Sequence, residues 1–276
     1  RHLARHLLGK PLVLVKVQHM DQQGVRSLFD LTDRVAIVTG GTRGIGLAIA
    51  SGFVGAGAKV VVASRKAEAC AAVEKQLINE GGEALGVATH LGELDSLHDL
   101  VQATMERFGR IDIVINNAAN ALAQPVGEFT EGAWQKSFDV NLRGPVFLMQ
   151  EAIPYLRESP SASVVNVISA GAFLFSGGVA MYAAAKAALM SFTRAFASEL
   201  ASDGIRVNAL APGAVNTDMT RATGEQGMAG MEKASLQKRI ADPDEMVGPA
   251  IFLASDASSF ITGQVIKADG GMVAGS

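Results

Sequence analysis

From Arg34 onward the chain alternates short β-branched runs with helix-period segments, and that alternation leaves few folds open. RVAIV, KVVVAS, EALGVAT, IDIVIN, SVVNVI, RVNALA and GQVIKA read as strands. Between them lie the helical segments IGLAIASGFVGAG, AEACAAVEKQLINEGG, SLHDLVQATMERFG, MYAAAKAALMSFTRAFASELAS and DEMVGPAIFLAS. A longer helical region covers 130–156, with Pro145 inside it as a kink or break. A Met/Gly-rich stretch over 217–230 reads as irregular. Strands alternating with helices mean a parallel sheet covered on both faces. KVVVAS and IDIVIN are near-continuous apolar runs, as strands buried on both sides require. With 276 residues, 49 % hydrophobic and 18 % charged, the chain has material for a large core. No repeat, low-complexity segment or long linker divides it. The expectation is one doubly wound α/β domain over 20–276.

Composition excludes several function classes. A net charge of −3 gives no footprint for nucleic acid. No apolar run approaches the roughly 18 residues of a membrane span. The one cysteine, Cys70, excludes an intrachain disulfide and suits a reducing compartment. It reads as a small packing residue on its helix. The five histidines show no metal-ligand spacing, so no metal is expected. Residues 1–19 stand apart, with four Lys/Arg and no acid. They read first as vector or upstream translation. The other readings are a basic transit peptide, which lacks the usual serine, and a secretory signal, which Lys16 interrupts. The expected location is cytoplasmic, or organellar if that leader is a native transit peptide.

RVAIV runs into Thr39-Gly40-Gly41-Thr42-Arg43-Gly44-Ile45-Gly46 and then a helix. Glycines allow a tight turn and close backbone approach, and the helix N-terminus offers N–H donors to a pyrophosphate. The Gly-x-x-x-Gly-x-Gly spacing is a variant of the dinucleotide fingerprint. The second strand ends in Ala63-Ser64-Arg65. An acid there would bond the ribose 2′-hydroxyl and select NAD. A hydroxyl and a guanidinium, joined by Arg43, suit a 2′-phosphate. NADP is therefore expected over NAD. The competing reading is that Arg65 and Lys66 open a solvated helix.

The stretch 166–186, NVISAGAFLFSGGVAMYAAAK, carries the chemistry. Tyr182 and Lys186 are four apart and share a helix face. Ser169 stands at the mouth of a strand, where open α/β sheets bind their ligands. A free tyrosine has a pKa of about 10. A lysine cation one turn away favours the phenolate and is expected to lower that value. Tyr182 then serves as general acid/base for an alcohol/ketone pair, with Ser169 bonding the same oxygen. The plain alternative is an amphipathic helix with a solvated lysine.

Taken in order, these motifs resemble the short-chain dehydrogenase/reductase family, in its shorter single-domain subclass. The likeness covers about 31–272. It includes TGGTRGIG, the NNAA that starts at Asn116, and Asn141 in DVNLRGPVF. It also includes Ser169 in VNVIS, Tyr182 with Lys186, Pro212-Gly213 with Thr217 in LAPGAVNTDM, and ITGQVIKADGG. The resemblance implies a sheet in the order 3-2-1-4-5-6-7 and a homotetramer or homodimer. It implies that Lys186 holds the nicotinamide ribose and lowers the pKa of Tyr182, and that Asn141 holds a water in a proton relay. Gly40, Thr42, Arg43, Gly44, Ile45 and Gly46 would meet the phosphate end of the cofactor, and Asn116 the adenine-side ribose. Val215 and Thr217 would border the nicotinamide. The family's usual Asp after the third strand is replaced by His90-Leu91, where a neutral His90 would accept the adenine amino group. Ala119 stands where the family has Gly.

The substrate pocket is expected between the loop 170–181 and a lid over 217–231. Phe173, Leu174, Phe175, Met219, Met228 and Met231 are apolar there, and methionine adapts to irregular shapes. Substrate contacts are assigned to Ser169, Phe173, Phe175, Tyr182 and Met219. The expected substrate is a small hydrophobic carbonyl or alcohol. A 3-oxoacyl reductase acting on a carrier protein or coenzyme A is the alternative. Glu158 and Asp203 argue against docking an acidic carrier. A non-catalytic NADP sensor is the reading of another class.

Overall fold

The computed structural model describes residues 20–174 and 177–273, so the expectations for 1–19 and Phe175 lie outside the described residues. The strands are β1 (Val35–Thr39), β2 (Lys59–Ser64), β3 (Ala84–Ala88), β4 (Ile113–Asn116), β5 (Ser163–Val167), β6 (Arg206–Pro212) and β7 (Val265–Ala268). They form one parallel sheet in the order β3-β2-β1-β4-β5-β6-β7. The helices are α1 (Gln22–Ser27), α2 (Gly44–Gly55), α3 (Ala67–Asn79), α4 (Leu94–Phe108), α5 (Glu131–Phe138) and α6 (Gly144–Leu156). They continue with α7 (Ala180–Leu200), α8 (Asp218–Arg221), α9 (Gly224–Ala234) and α10 (Val247–Ala254).

Strand alternation explains the two layers. Every residue of β1 is buried. Ala36 and Val38 face one core with Ile49 and Phe53 of α2 and Leu253 of α10. Ile37, between them, faces the other core with Leu100 of α4 and Leu148 of α6. A strand that must be apolar on both faces reads as a continuous run rather than an alternation. The sheet order reverses at β1, which has β2 on one side and β4 on the other. That reversal opens a crevice beyond the carboxyl ends of the strands.

Two local expectations need correction. The break in 130–156 does not fall at Pro145 itself, which stands in the first turn of α6. The irregularity lies just before it, in a π-turn over Asp139–Arg143. The stretch 217–230 is not irregular either. The Thr217 hydroxyl accepts from the Thr220 N–H and opens α8, and α9 follows. The glycine-bearing α9 forms without a side-chain cap, despite the low helix propensity of glycine. The expected start after Asp242 is present as a capping box with Glu245, although its first turn, Pro243–Met246, is 3₁₀. No described helix is long and apolar enough to cross a membrane.

Candidate active site

A cavity of about 630 Å³ opens where β1 passes into α2, and the ends of β2, β5 and β6 and the lid residues 216–221 enclose it. Gly40, Thr42, Arg43, Gly44 and Ile45 line one end. Gly40 has φ +65°, and a Cβ there would lie 2.8 Å from the Ala118 Cα. Gly44 also has positive φ, +54°, so a side chain at either position is strained. The N-cap residue of α2, Arg43, makes no side-chain cap, which leaves the first-turn N–H groups for an anion. Ser64 and Arg65 line the same end. Among the described residues Arg65 has no hydrogen bond or ion pair. A bare backbone cradle beside a free guanidinium fits the diphosphate and 2′-phosphate of a dinucleotide.

The other end holds the reacting groups. Ser169, Tyr182 and Lys186 all line the cavity. The Tyr182 hydroxyl is hydrogen-bonded to Ser169, whose Oγ also accepts from the Gly171 N–H at 3.0 Å. Lys186 is 1 % exposed; its Nζ donates to the Val167 carbonyl at 2.7 Å and lies 5.9 Å from the Tyr182 ring centre. Burial lowers the Lys186 ammonium to about 7. The expected acidification of Tyr182 is not what the protein alone produces. Burial pushes its phenol up, and the Ser169 hydrogen bond only partly offsets that. The physical reason is desolvation. It disfavours the phenolate and the ammonium together, and a lysine that loses its proton near neutrality cannot stabilise an anion. The site therefore presents a protonated phenol, ready to donate to an oxygen.

Asn141 is fully buried and outside the cavity lining. Its Oδ1 accepts from the Asn120 N–H at 3.1 Å, and its Nδ2 donates to the Asn120 and Ser137 carbonyls at 2.8 and 2.9 Å. Its side chain holds the loop after β4. Asn116 is also buried away from the cavity; its Nδ2 donates to Asn166 Oδ1 at 2.9 Å and its Oδ1 has no partner. Strand alternation turns Asn116 into the core, and the next residue, Asn117, lines the cavity and donates to the Thr39 carbonyl at 2.9 Å. His90 likewise turns out of the cavity. Its Nδ1 accepts from the Gly92 N–H at 3.2 Å in its own turn, while Thr89 and Leu91 face in. Gly46 is not lining either: a Cβ there would meet the Gly40 carbonyl oxygen at 2.3 Å, so it serves the packing of α2 on the loop. Phe173 packs on Ile168 and Leu189 instead of the cavity, under Lys267. Met219 lines the cavity, whereas Met228 and Met231 do not.

Pro212, Gly213, Val215 and Thr217 all face the cavity as expected. Asp218 and Arg221 line it from the expected lid segment, and Asn117, Asn120 and Lys136 line it without having been anticipated. Period-two alternation points to Asn117 over Asn116; for the others the signal lay only in the third dimension. No group of three His, Cys, Asp or Glu side chains among the described residues could hold a metal.

Comparison with known proteins agrees with this geometry. A family model described as enoyl-(acyl carrier protein) reductase matches residues 40–273. The chain is similar to a 3-oxoacyl-[acyl-carrier-protein] reductase of Synechocystis, 38 % identical over 88 % of this chain and 98 % of that protein. It is similar to the short-chain dehydrogenase/reductase SDRA of Arabidopsis thaliana, 38 % identical over 88 % of this chain and 95 % of that one. Among solved structures it resembles a gluconate 5-dehydrogenase from Burkholderia cenocepacia in complex with NADP and tartrate. The TM-score is 0.87 and the identity 31 %, over 91 % of this chain and all of that one.

Proposed function

The chain belongs to the short-chain dehydrogenase/reductase family of NAD(P)-dependent oxidoreductases, and from that premise we propose that it reduces a carbonyl group to a secondary alcohol with NADPH, with Tyr182 as proton donor. One observation carries this reading: Tyr182, Ser169 and Lys186 stand in the same cavity as the glycine cradle and Arg65. Bound NADPH supplies the hydride. Ser169 orients the carbonyl oxygen, and Tyr182 gives it the proton that completes the alcohol. Lys186 holds the nicotinamide ribose and returns a proton towards Tyr182, a role that a pKa near 7 suits. Arg43 and Arg65 hold the 2′-phosphate, in keeping with the NADP of the Burkholderia structure. Asn141 fixes the Asn120 loop that walls the cavity. The substrate is a small hydrophobic ketone, with Met219 as an adaptable contact. The protein works in the cytoplasm as a homotetramer or homodimer, and residues 20–276 form its single domain.

A second reading is reduction of a 3-oxoacyl thioester, favoured by the Synechocystis relative. Asp203, which argued against an acidic carrier, is paired with Arg157 at 2.8 Å and presents less free negative charge than its sequence suggested. A panel of ketones, 3-oxoacyl-coenzyme A and 3-oxoacyl carrier protein, followed at the nicotinamide absorbance, separates the two. Turnover of ketones but not thioesters supports the first, and the converse selects the second. Tight NADPH binding without turnover of any of them sinks both. For cofactor choice, Arg65→Ala is expected to weaken NADPH by about tenfold or more and NADH by less than about twofold, since charge-assisted bonds carry about 1.5–3 kcal/mol. Equal losses in a direct titration would overturn the assignment to NADP.

A further inference from the structure

We propose that Asp218 is a cofactor-selectivity residue: its carboxylate occupies Arg43 from the lid, and the 2′-phosphate of NADP must displace it. The inference rests on the NADP reading above. Arg43 Nη1 meets Asp218 Oδ2 at 3.0 Å. The other oxygen of Asp218 receives Arg221 Nη2 at 2.7 Å, and Arg221 Nη1 reaches Asn216 Oδ1 at 2.6 Å. All four residues line the cavity. The two phosphate-end arginines are therefore in different states: Arg65 is free to accept an anion, and Arg43 already has one.

A carboxylate and a phosphate are equivalent partners for a guanidinium fork, so they compete for it. The Arg43–Asp218 pair is weak enough to yield, with side chains 74 % and 59 % exposed. Asp218 is not stranded when it yields, because Arg221 remains its partner. NADH, which has no 2′-phosphate, leaves the pair in place. Asp218 thus tempers the preference for NADP. It also ties the first turn of α8 to whatever occupies the 2′ end of the cavity.

Asp218→Asn removes the charge while keeping the shape of the residue and the Thr217 cap of α8. Calorimetric titration of NADPH and NADH into the wild type, Asp218→Asn, Arg43→Ala and the double variant reads the competition directly. Asp218→Asn is expected to tighten NADPH by about threefold at low salt and by less at high salt. NADH should change by less than about twofold, and the gain for NADPH should vanish in the Arg43→Ala background. Unchanged or weaker NADPH binding overturns the proposal. So does an equal gain for NADH, or a gain that persists without Arg43, because general repulsion would then be the cause. The wild-type constants report separately on the cofactor reading. Equal affinity for NADPH and NADH sinks that reading and the proposal with it. A clear NADPH preference with no effect of Asp218→Asn sinks the proposal alone.

Discussion

Tyr182→Phe is expected to leave less than about one hundredth of wild-type turnover, since a positioned general acid contributes about 10²–10⁴ in rate. The change removes only the hydroxyl and keeps the ring, so NADPH affinity should stay within about twofold. Burial holds the phenol protonated, which makes it a donor to a carbonyl oxygen at neutral pH. Its hydroxyl is paired with Ser169, whose Oγ is engaged by the Gly171 N–H. Single-turnover reduction beside a calorimetric NADPH titration checks both halves. A variant that keeps more than about a tenth of the rate places the proton donor elsewhere. A variant that loses NADPH shows Tyr182 to be part of the cofactor's support.

Lys186→Met is expected to abolish turnover and yet stabilise the cofactor-free protein at low pH. Burial takes the ammonium from its ordinary 10.5 to about 7, a difference of roughly 4–5 kcal/mol between the charged and neutral forms. Methionine fills a similar volume without charge. It leaves the Val167 carbonyl without that donor, which costs about 1–3 kcal/mol. The net gain is about 2 kcal/mol. Its sign against pH follows from the depressed value. Below pH 7 both the folded and the unfolded chain carry the proton, and the burial penalty is fully present. Between about 7 and 10.4 the unfolded chain binds more protons, so wild-type stability rises with pH. The advantage of the methionine variant should therefore be largest near pH ~6 and shrink towards pH ~9.5. Urea unfolding at the two values measures it. A variant less stable than wild type at pH ~6, or a gap that ignores pH, would show that the lysine is not penalised by its burial.

The sheet was legible because β1, β2 and β4 must be apolar on both faces, and that constraint leaves an unbroken run in the sequence. Tyr182 and Lys186 were legible because one turn of helix fixes their relation at any tertiary setting. Asn116 was misplaced because a motif names neighbouring residues without saying which way each points; alternation puts Asn116 in the core and Asn117 in the crevice. His90 was misplaced for a similar reason, since its ring is claimed by its own turn. The lid helices were hidden because the glycines of α9 speak against a helix and no side-chain cap marks its start. The titration of Lys186 was beyond reach for a different reason. Spacing reports that two groups are adjacent, but desolvation depends on everything packed around them.

The π-turn at Asp139–Arg143 sets how much the segment 131–156 tolerates a change in length. Its wider loop absorbs one extra residue locally within an otherwise regular rod. Deleting one residue would close that bulge to a plain α-turn and move the residues of the turn by about 100° each around the axis. Asn141 would leave Asn120, and Gly144 would swing off the Leu91 carbonyl, against which its missing Cβ lets it lie. The wall of the crevice is thus fixed by a miscount in the helix, and point substitutions there should be borne more easily than a frame-preserving loss of one codon.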